Sequence, residues 1–250
     1  MPLDEVDGLD RDVLAIGTDY PPEHRLPWHR HRRAQLLYGA TGVMRVDTED
    51  GSWTVPTERA VLIPPGARHQ VLMRGVSTRS LYLEPAAVPW FPGRCQVADV
   101  SSLLRELLLA AVDIEPEYPR HGRDAALIEL ILHEITALTP LPFDLPLPRE
   151  PRLRAMCLRF HRAPDVHTPI ARWAAALGVS ERTLNRLFRA ETGLTFQRWR
   201  QRACALHAIG LLATGMPVAT VATTVGYDNP AAFAVMFRRE TGTPPSTFTR

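Results

Sequence analysis

Residues 168–193 read TPIARWAAALGVSERTLNRLFRAETG, and residues 216–242 read MPVATVATTVGYDNPAAFAVMFRRETG. Laid over each other, Ile170-Ala171 falls on Val218-Ala219 and Leu177-Gly178 on Val225-Gly226, an offset of 48. After the next turn, Leu184 falls on Phe233, Phe188-Arg189 on Phe237-Arg238, and Glu191-Thr192-Gly193 on Glu240-Thr241-Gly242, an offset of 49. One residue is therefore inserted in the second turn. Each copy carries its own helix punctuation. Thr168-Pro169 reads as an N-cap followed by Pro at the first helical position, and Gly178 stops that helix. Ser180 caps the next, Glu181 to Thr192, and Gly193 ends it. Thr195 opens a longer helix to about Thr214, where Phe196, Trp199, Ala203, Leu206 and Gly210 advance by three and four and predict one buried face. Pro217 opens a short helix that ends before Gly226, and Pro230 opens the last, closed by Gly242.

Short helix, tight turn with Gly, longer helix is the helix-turn-helix plan, in which the second helix enters the major groove of DNA. A long helix between two copies can hold them apart at a fixed distance. Two recognition helices about 34 Å apart would meet one face of B-DNA a turn apart.

Charge points the same way. The net charge of +2 hides a split: residues 1–150 hold 15 Arg against 22 acidic residues, while residues 151–250 hold 14 Arg against 5. There is no Lys. A basic final hundred residues attracts polyanions, of which nucleic acid is the commonest. Nothing reaches the length of a membrane-spanning run, and the acidic opening Met1–Glu5 lacks the shape of a signal peptide. Cys95, Cys157 and Cys204 are odd in number and far apart, so they make no disulfide framework and read as buried packing residues. A reducing cytoplasm is expected.

Working toward the N-terminus, five prolines between Thr139 and Pro151 read as an inter-domain linker, placed where the charge changes sign. Residues 99–138 carry two amphipathic helices. Leu103, Leu104, Leu107, Leu108 and Ala111 form one stripe, and Leu127, Leu130, Ile131, Ile135 and Leu138 a second. This hairpin either lies on the preceding domain or forms a dimer interface. Residues 1–98 alternate in short runs with Gly and Pro turns; residues 42–47 and 52–55 flank Glu49-Asp50-Gly51 as a hairpin. The expected fold is two-domain α+β: an N-terminal antiparallel β-barrel with a helical hairpin, then an all-α double helix-turn-helix domain over residues 152–250.

The C-terminal stretch resembles the DNA-binding domain of the AraC/XylS family of transcription regulators. The resemblance covers about residues 152–248 and rests on Val221-Ala222, Gly226-Tyr227, Phe233, Phe237-Arg238-Arg239, Gly242, Pro245 and Phe248, the last in place of the usual Tyr. In the first copy Leu184, Leu187 and Phe188 should be buried, so Arg182, Asn185 and Arg186 face outward, at the positions the family uses for base contacts. Arg pairs with guanine O6/N7 and Asn with adenine N6/N7, each through two parallel hydrogen bonds. The second copy presents Pro230, Ala231, Ala234 and Val235, which can only touch thymine methyls or fit DNA shape. The first copy should therefore discriminate sequence and the second anchor. Arg198, Arg238 and Arg239 are expected phosphate contacts, with Arg200 and Arg202 as weaker ones.

Residues 29–35 read His-Arg-His-Arg-Arg-Ala-Gln, and Pro65-Gly66-Ala67-Arg68-His69 follows later. On one strand His29, His31 and Gln35 would share a face. The pattern resembles the cupin barrel over roughly residues 25–85, with Gln35 where that family has Glu. It implies a sensor in which His29, His31, Gln35 and His69 hold a divalent transition metal or line a pocket for an organic effector. Trp28, Arg33 and Trp53 are further candidates for the lining; His24 is off the spacing. The function expected is a DNA-binding transcription regulator, not an enzyme, whose first domain senses a small molecule or metal. Its partners would be double-stranded DNA, a second copy of the chain and, for an activator, RNA polymerase. The competing reading is a metal-dependent cupin enzyme, a dioxygenase or isomerase, with a helical appendage. It has no acid/base pair beside the histidines and leaves the duplicated helices unexplained.

Overall fold

The computed structural model describes residues 7–249; Met1–Glu5 lies outside them. The chain separates into two compact units, one running up to Thr48 and resuming over Val55–Leu141, the other formed by Glu49–Thr54 with Pro142 onward.

The first unit is built on antiparallel strands. Six of them, β1 (Val13–Asp19), β8 (Ser77–Leu83), β3 (Ala34–Gly39), β6 (Arg59–Ile63), β9 (Gln96–Asp99) and β10 (Pro140–Leu141), form one sheet in that order. In a second sheet β4 (Val43–Thr48), β7 (His69–Arg74) and β2 (His24–His29) pair in that order. Strand β3 is buried along its whole length because both faces are covered. Leu36 and Tyr38, with Leu62 and Leu81 from neighbouring strands, meet α1 (Ser102–Ala111) and α2 (Arg123–Thr136) through Leu104, Leu108, Ala111, Ile128, Ile131 and Ile135. The helical hairpin thus lies on the sheet of its own unit. Not every position of the two apolar stripes is inside: Leu103 is 48% exposed and Leu130 40%.

In the second unit α3 (Pro151–Arg162) precedes the repeat, a helix the sequence reading did not separate; Glu150 caps it by accepting from the N–H groups of Arg152 and Leu153. Then come α4 (Ile170–Leu177), α5 (Glu181–Thr192), α6 (Phe196–Ala213), α7 (Val218–Thr224) and α8 (Pro230–Thr241), the helices the repeat predicts. Thr168 is not the cap of α4: Pro169 holds that place, with no side-chain bond. The joining helix α6 also differs from expectation. It is buried on more than one face, through Phe196, Trp199, Ala203, Cys204, Ala205, Leu206, Ala208, Ile209, Gly210 and Leu212. Beyond its first two turns, a helix with neighbours from both copies has little solvent side to keep polar.

The stretch 139–151 is extended, as its prolines require, but it is not free chain. Within it β11 (Asp144–Pro146) pairs antiparallel with β5 (Gly51–Val55) in the register Asp144↔Trp53 to Pro146↔Gly51. Phe143, Leu145 and Leu147 are buried, and the Trp199 indole N–H donates to the Pro146 carbonyl at 2.8 Å. Proline tolerates an edge strand, and apolar residues alternating with it turn one side inward. The second unit is therefore helical apart from this two-stranded ribbon, and residues 49–54 belong to it rather than to the barrel. No helix among the described residues is long and apolar enough to cross a membrane.

Candidate DNA-reading helices and a histidine pocket

The two copies repeat at the level of single hydrogen bonds. Each short helix closes with an N–H five residues on: Val179 to the Ala174 carbonyl at 3.0 Å, Tyr227 to the Ala222 carbonyl at 2.8 Å. Each long helix has a polar cap, Ser180 accepting from the Thr183 N–H and Asn229 from the Ala231 N–H. Each ends on a threonine that bonds backward and forward. The Thr192 hydroxyl donates to the Phe188 carbonyl and accepts from the Leu194 N–H; the Thr241 hydroxyl donates to the Phe237 carbonyl and accepts from the Thr243 N–H. Gly193 and Gly242 follow with φ of 73° and 83°, the left-handed region that ends a helix.

These devices aim α5. Leu184 and Phe188 are fully buried, Phe188 among the rings of Trp173, Phe196 and Trp199 at centroid distances of 6.0, 5.3 and 5.6 Å. The opposite side carries Arg182 and Arg186, both exposed, and Asn185, half-buried. Arg182, Arg186 and also Arg189, which sequence reasoning passed over, make no ion pair or side-chain hydrogen bond among the described residues. Its signal was present, since the repeat sets Arg189 on Arg238. Together with Asn185, Thr195, Phe196, Gln197, Arg200 and Ile170 these arginines line a recess of about 820 Å³ between α5 and the start of α6. Asn185 also has a partner within the fold. Its Oδ1 accepts from the Phe196 N–H at 3.3 Å. A backbone N–H can be met only by the amide oxygen, so this bond fixes the side chain's orientation. One of that oxygen's two lone pairs ties α5 to the first turn of α6, and the other faces outward with the amide N–H groups free to meet a base.

On α8 the face is apolar, as the sequence implies: Pro230 and Ala231 are exposed, Ala234 is half-buried and Val235 is 71% exposed. The arginines near it are not equivalent. Glu240 is 1% exposed at its side chain and sits 3.0 Å from Arg239, 3.7 Å from Arg202 and 4.0 Å from Arg198. Arg202 also meets Asp144 at 3.2 Å and is itself buried to 13% exposure, so it is a structural ion pair rather than a phosphate contact. Arg239 donates to Gln201 as well. Arg238 alone of this group is exposed and uncommitted among the described residues. Arg200 is half-buried, bonded to the Thr168 carbonyl and lying 5.6 Å from the centre of the Phe196 ring.

In the first unit the histidines converge, though not on one strand. His29 ends β2, His31 lies in the turn beyond it, Gln35 is on β3, and His69 opens β7. His29 and His69 are cross-strand partners after a register shift between Leu26 and His29. Their ligand atoms and that of His31 all lie within 4.8 Å of one another. Each Nδ1 faces a backbone carbonyl, that of Pro27 for His29 (2.7 Å), Arg33 for His31 (2.6 Å) and Ala67 for His69 (2.9 Å). A carbonyl only accepts, so in His29 and His69 Nδ1 carries the proton and Nε2 the lone pair. His69 Nε2 is buried with no partner among the described residues. His31 Nε2 lies 3.1 Å from the Gln35 amide oxygen, so two acceptors, this oxygen and the Arg33 carbonyl, compete for the one proton of the neutral His31 ring. Burial lowers the pKa of His31 and pushes that of His69 down to about 4, so both rings are neutral near pH 7. The Tyr82 ring packs against His31 at 5.3 Å, and burial raises its phenol to about 12.

The other expected lining residues have contacts of their own. Arg33 is fully buried, but its guanidinium turns to Asp7, Glu84 and the carbonyls of Leu9 and Arg11. Trp53 is in the second unit. Trp28 is 39% exposed, with Arg68 over its ring at 5.3 Å. The His24 ring packs against Tyr20 at 5.2 Å. All three cysteines are buried and outside any disulfide, and burial raises the Cys157 and Cys204 thiols.

Two family models match the chain: an AraC-like ligand binding domain over residues 13–133 and a helix-turn-helix domain over residues 173–250. HTH-type transcriptional regulator NimR of Escherichia coli is 32% identical over 236 residues, 94% of this chain and 85% of that one. HTH-type transcriptional regulator RipA of Corynebacterium glutamicum is 40% identical over 116 residues, 46% of this chain and 34% of that one. The arabinose operon regulatory protein of Escherichia coli is 34% identical over 123 residues, 48% of this chain and 41% of that one.

Proposed function

The chain belongs to the AraC family of transcription regulators, with a ligand-binding first domain and a helix-turn-helix DNA-binding domain, and we propose that α5 reads the sequence while α8 anchors. The relatives are named as regulators, so the cupin-enzyme reading falls away. The observation that carries the proposal is the contrast in free charge: Arg182 and Arg186 stand exposed and unpaired on α5, where α8 has Ala231 and Val235. Two donors in a rigid fork match guanine, so the half-site under α5 is guanine-bearing. Under α8, Pro230, Ala231, Ala234 and Val235 meet thymine methyls. Arg238 holds phosphate there, while Arg198 and Arg239 reach phosphate only with part of their charge already spent on Glu240. Enrichment of bound duplexes from a random pool tests this. A guanine-containing half-site that loses its guanine preference in Arg186→Ala is expected; an adenine-only site would overturn it.

In the first unit the effector region is the space around His29, His31, His69 and Gln35. The geometry supports a divalent transition metal held by the Nε2 atoms of His29 and His69, each ring steadied by a carbonyl behind it as metal-ligating histidines generally are, with His31 as the third imidazole. Such an ion would supply a Lewis-acidic point for an effector to bind. An organic effector seated against the same rings and Tyr82 is the second reading, favoured by the neutral Gln35 where a carboxylate would have balanced an ion's charge. Elemental analysis of the full chain purified without a polyhistidine tag separates them: stoichiometric metal lost in His69→Ala supports the first, and substoichiometric metal removes it. Exposed Leu103 and Leu130 on the hairpin favour a homodimer, which sedimentation tests; for an activator, RNA polymerase is the further partner.

A further inference from the structure

Resting on the reading of α5 as a DNA-contacting helix, we infer that the recess between α5 and the start of α6 is a seat for a backbone phosphodiester, with Arg189 as its anchor and Arg200 as its second guanidinium. Arg189 and Arg238 are then one position used twice, a backbone clamp near the end of each recognition helix.

The repeat supplies the first argument. Arg189 and Arg238 lie 49 residues apart, each directly after a buried phenylalanine and three residues before the helix-ending threonine. Other outward positions diverge between the copies: Arg182 becomes Ala231, Asn185 becomes Ala234, Arg186 becomes Val235. This one stays arginine, exposed in both copies, with no ion pair or side-chain hydrogen bond among the described residues. A charge kept where base-reading chemistry is lost serves a feature common to all sequences, and in a duplex that feature is the phosphate.

The recess supplies the second. Arg182, Arg186, Arg189 and Arg200 line it, and no carboxylate does. Two like charges about 4 Å apart repel by about 1 kcal/mol in bulk water and by more in a partly desolvated recess. The arginines around Glu240 have that repulsion relieved within the fold; these do not. Arg200 is fixed in advance, bonded to the Thr168 carbonyl, laid over Phe196, and with its Nε buried and unpartnered among the described residues. A guanidinium held beforehand loses less freedom on binding an anion. The first turn of α6, an 18-residue helix, opens onto the same space through Thr195, Phe196 and Gln197, adding the positive end of its dipole.

The test uses the full chain and a random-sequence duplex, with affinity followed by fluorescence anisotropy over a salt series. Arg189→Ala is expected to lower the slope of log K against log salt by about 0.9 and to weaken binding about fivefold near physiological salt, whatever the sequence. Arg238→Ala should match it. Arg189→Lys keeps the charge and should keep the slope, which separates a lost phosphate contact from a damaged fold. Unchanged affinity and slope in Arg189→Ala, with Arg186→Ala still altering the enriched sequence, would overturn the phosphate seat and leave the DNA reading intact. Failure of the unaltered chain to bind any duplex at low salt would overturn both.

Discussion

The two helix-turn-helix copies share their carpentry and differ in their outward faces. Turn bonds, polar caps and the terminal threonines recur at matching positions, yet α5 presents Arg182, Asn185 and Arg186 where α8 presents Ala231, Ala234 and Val235. Even the matching glutamates diverge. Glu191 accepts from the N–H groups of Arg149 and Glu150 ahead of α3, while Glu240 gathers three arginines. Inward positions answer to packing and hydrogen-bond geometry, which is the same problem in both copies. Outward positions answer only to what binds, so they are free to part.

The strongest way to break this comparison is at the glutamates. Glu240→Ala leaves Arg202 buried with only Asp144 to face and is expected to lower stability by about 3–5 kcal/mol. Glu191→Ala removes caps from a helix start and is expected to lower it by about 1 kcal/mol. Thermal unfolding of the two variants checks the order; equal losses would mean that the glutamates do the same job.

At the readers, Arg186→Ala is expected to weaken binding to its enriched duplex by about 1–3 kcal/mol, with relaxed base preference. Val235→Ala should change affinity by under about 1 kcal/mol, since only one or two methyl contacts are involved. Anisotropy on matched duplexes would show it, and a larger loss for Val235 would reverse the assignment of reader and anchor.

The turn glycines sharpen the comparison. Gly178 and Gly226 have φ of 69° and 90°, so alanine is strained in both, by about 1–2 kcal/mol. Around Gly178 there is open space, but a Cβ at Gly226 would run into the Asp165 carboxylate. Gly226→Ala should therefore melt at a lower temperature than Gly178→Ala.

The most even effect is expected at the terminal threonines. Thr192→Val and Thr241→Val should each lose about 1 kcal/mol, the worth of one hydrogen bond, and their near equality is the prediction.

Outside the repeat, His69 makes a pH test. Its pKa falls from 6.5 to about 4 on burial, so the unfolded chain binds a proton more readily. Stability of the first unit should be fully present above pH 6.5 and decline as pH falls toward about 4; His69→Gln should flatten that decline.

Much of the second unit could be read in advance because its information is local. Caps, prolines and left-handed glycines act within a turn of where they stand, and a duplicated order of them spells the helices of the repeat. The trio of histidines was legible as residue types, but its expected basis, one strand carrying His29, His31 and Gln35, does not hold. The chain breaks after His29, and convergence comes instead from pairing His29 with His69 across strands. Asn185 was legible as an outward polar residue of α5, but no local rule reports that the Phe196 N–H would share its oxygen.

What the sequence alone determined is the succession of elements, the duplicated helical unit and the outward residue types on its two recognition helices, since periodicity and capping are short-range physics. What only the tertiary structure decided is which arginines remain free. Arg202 and Arg239 are bound to a buried carboxylate, whereas Arg182, Arg186 and Arg189 have none, and that depends on which side chains distant segments bring together. The same holds for the proline-rich stretch. Its extended form follows from φ restriction, but its place beside residues 51–53 and under Trp199 was settled by burial of Phe143, Leu145 and Leu147.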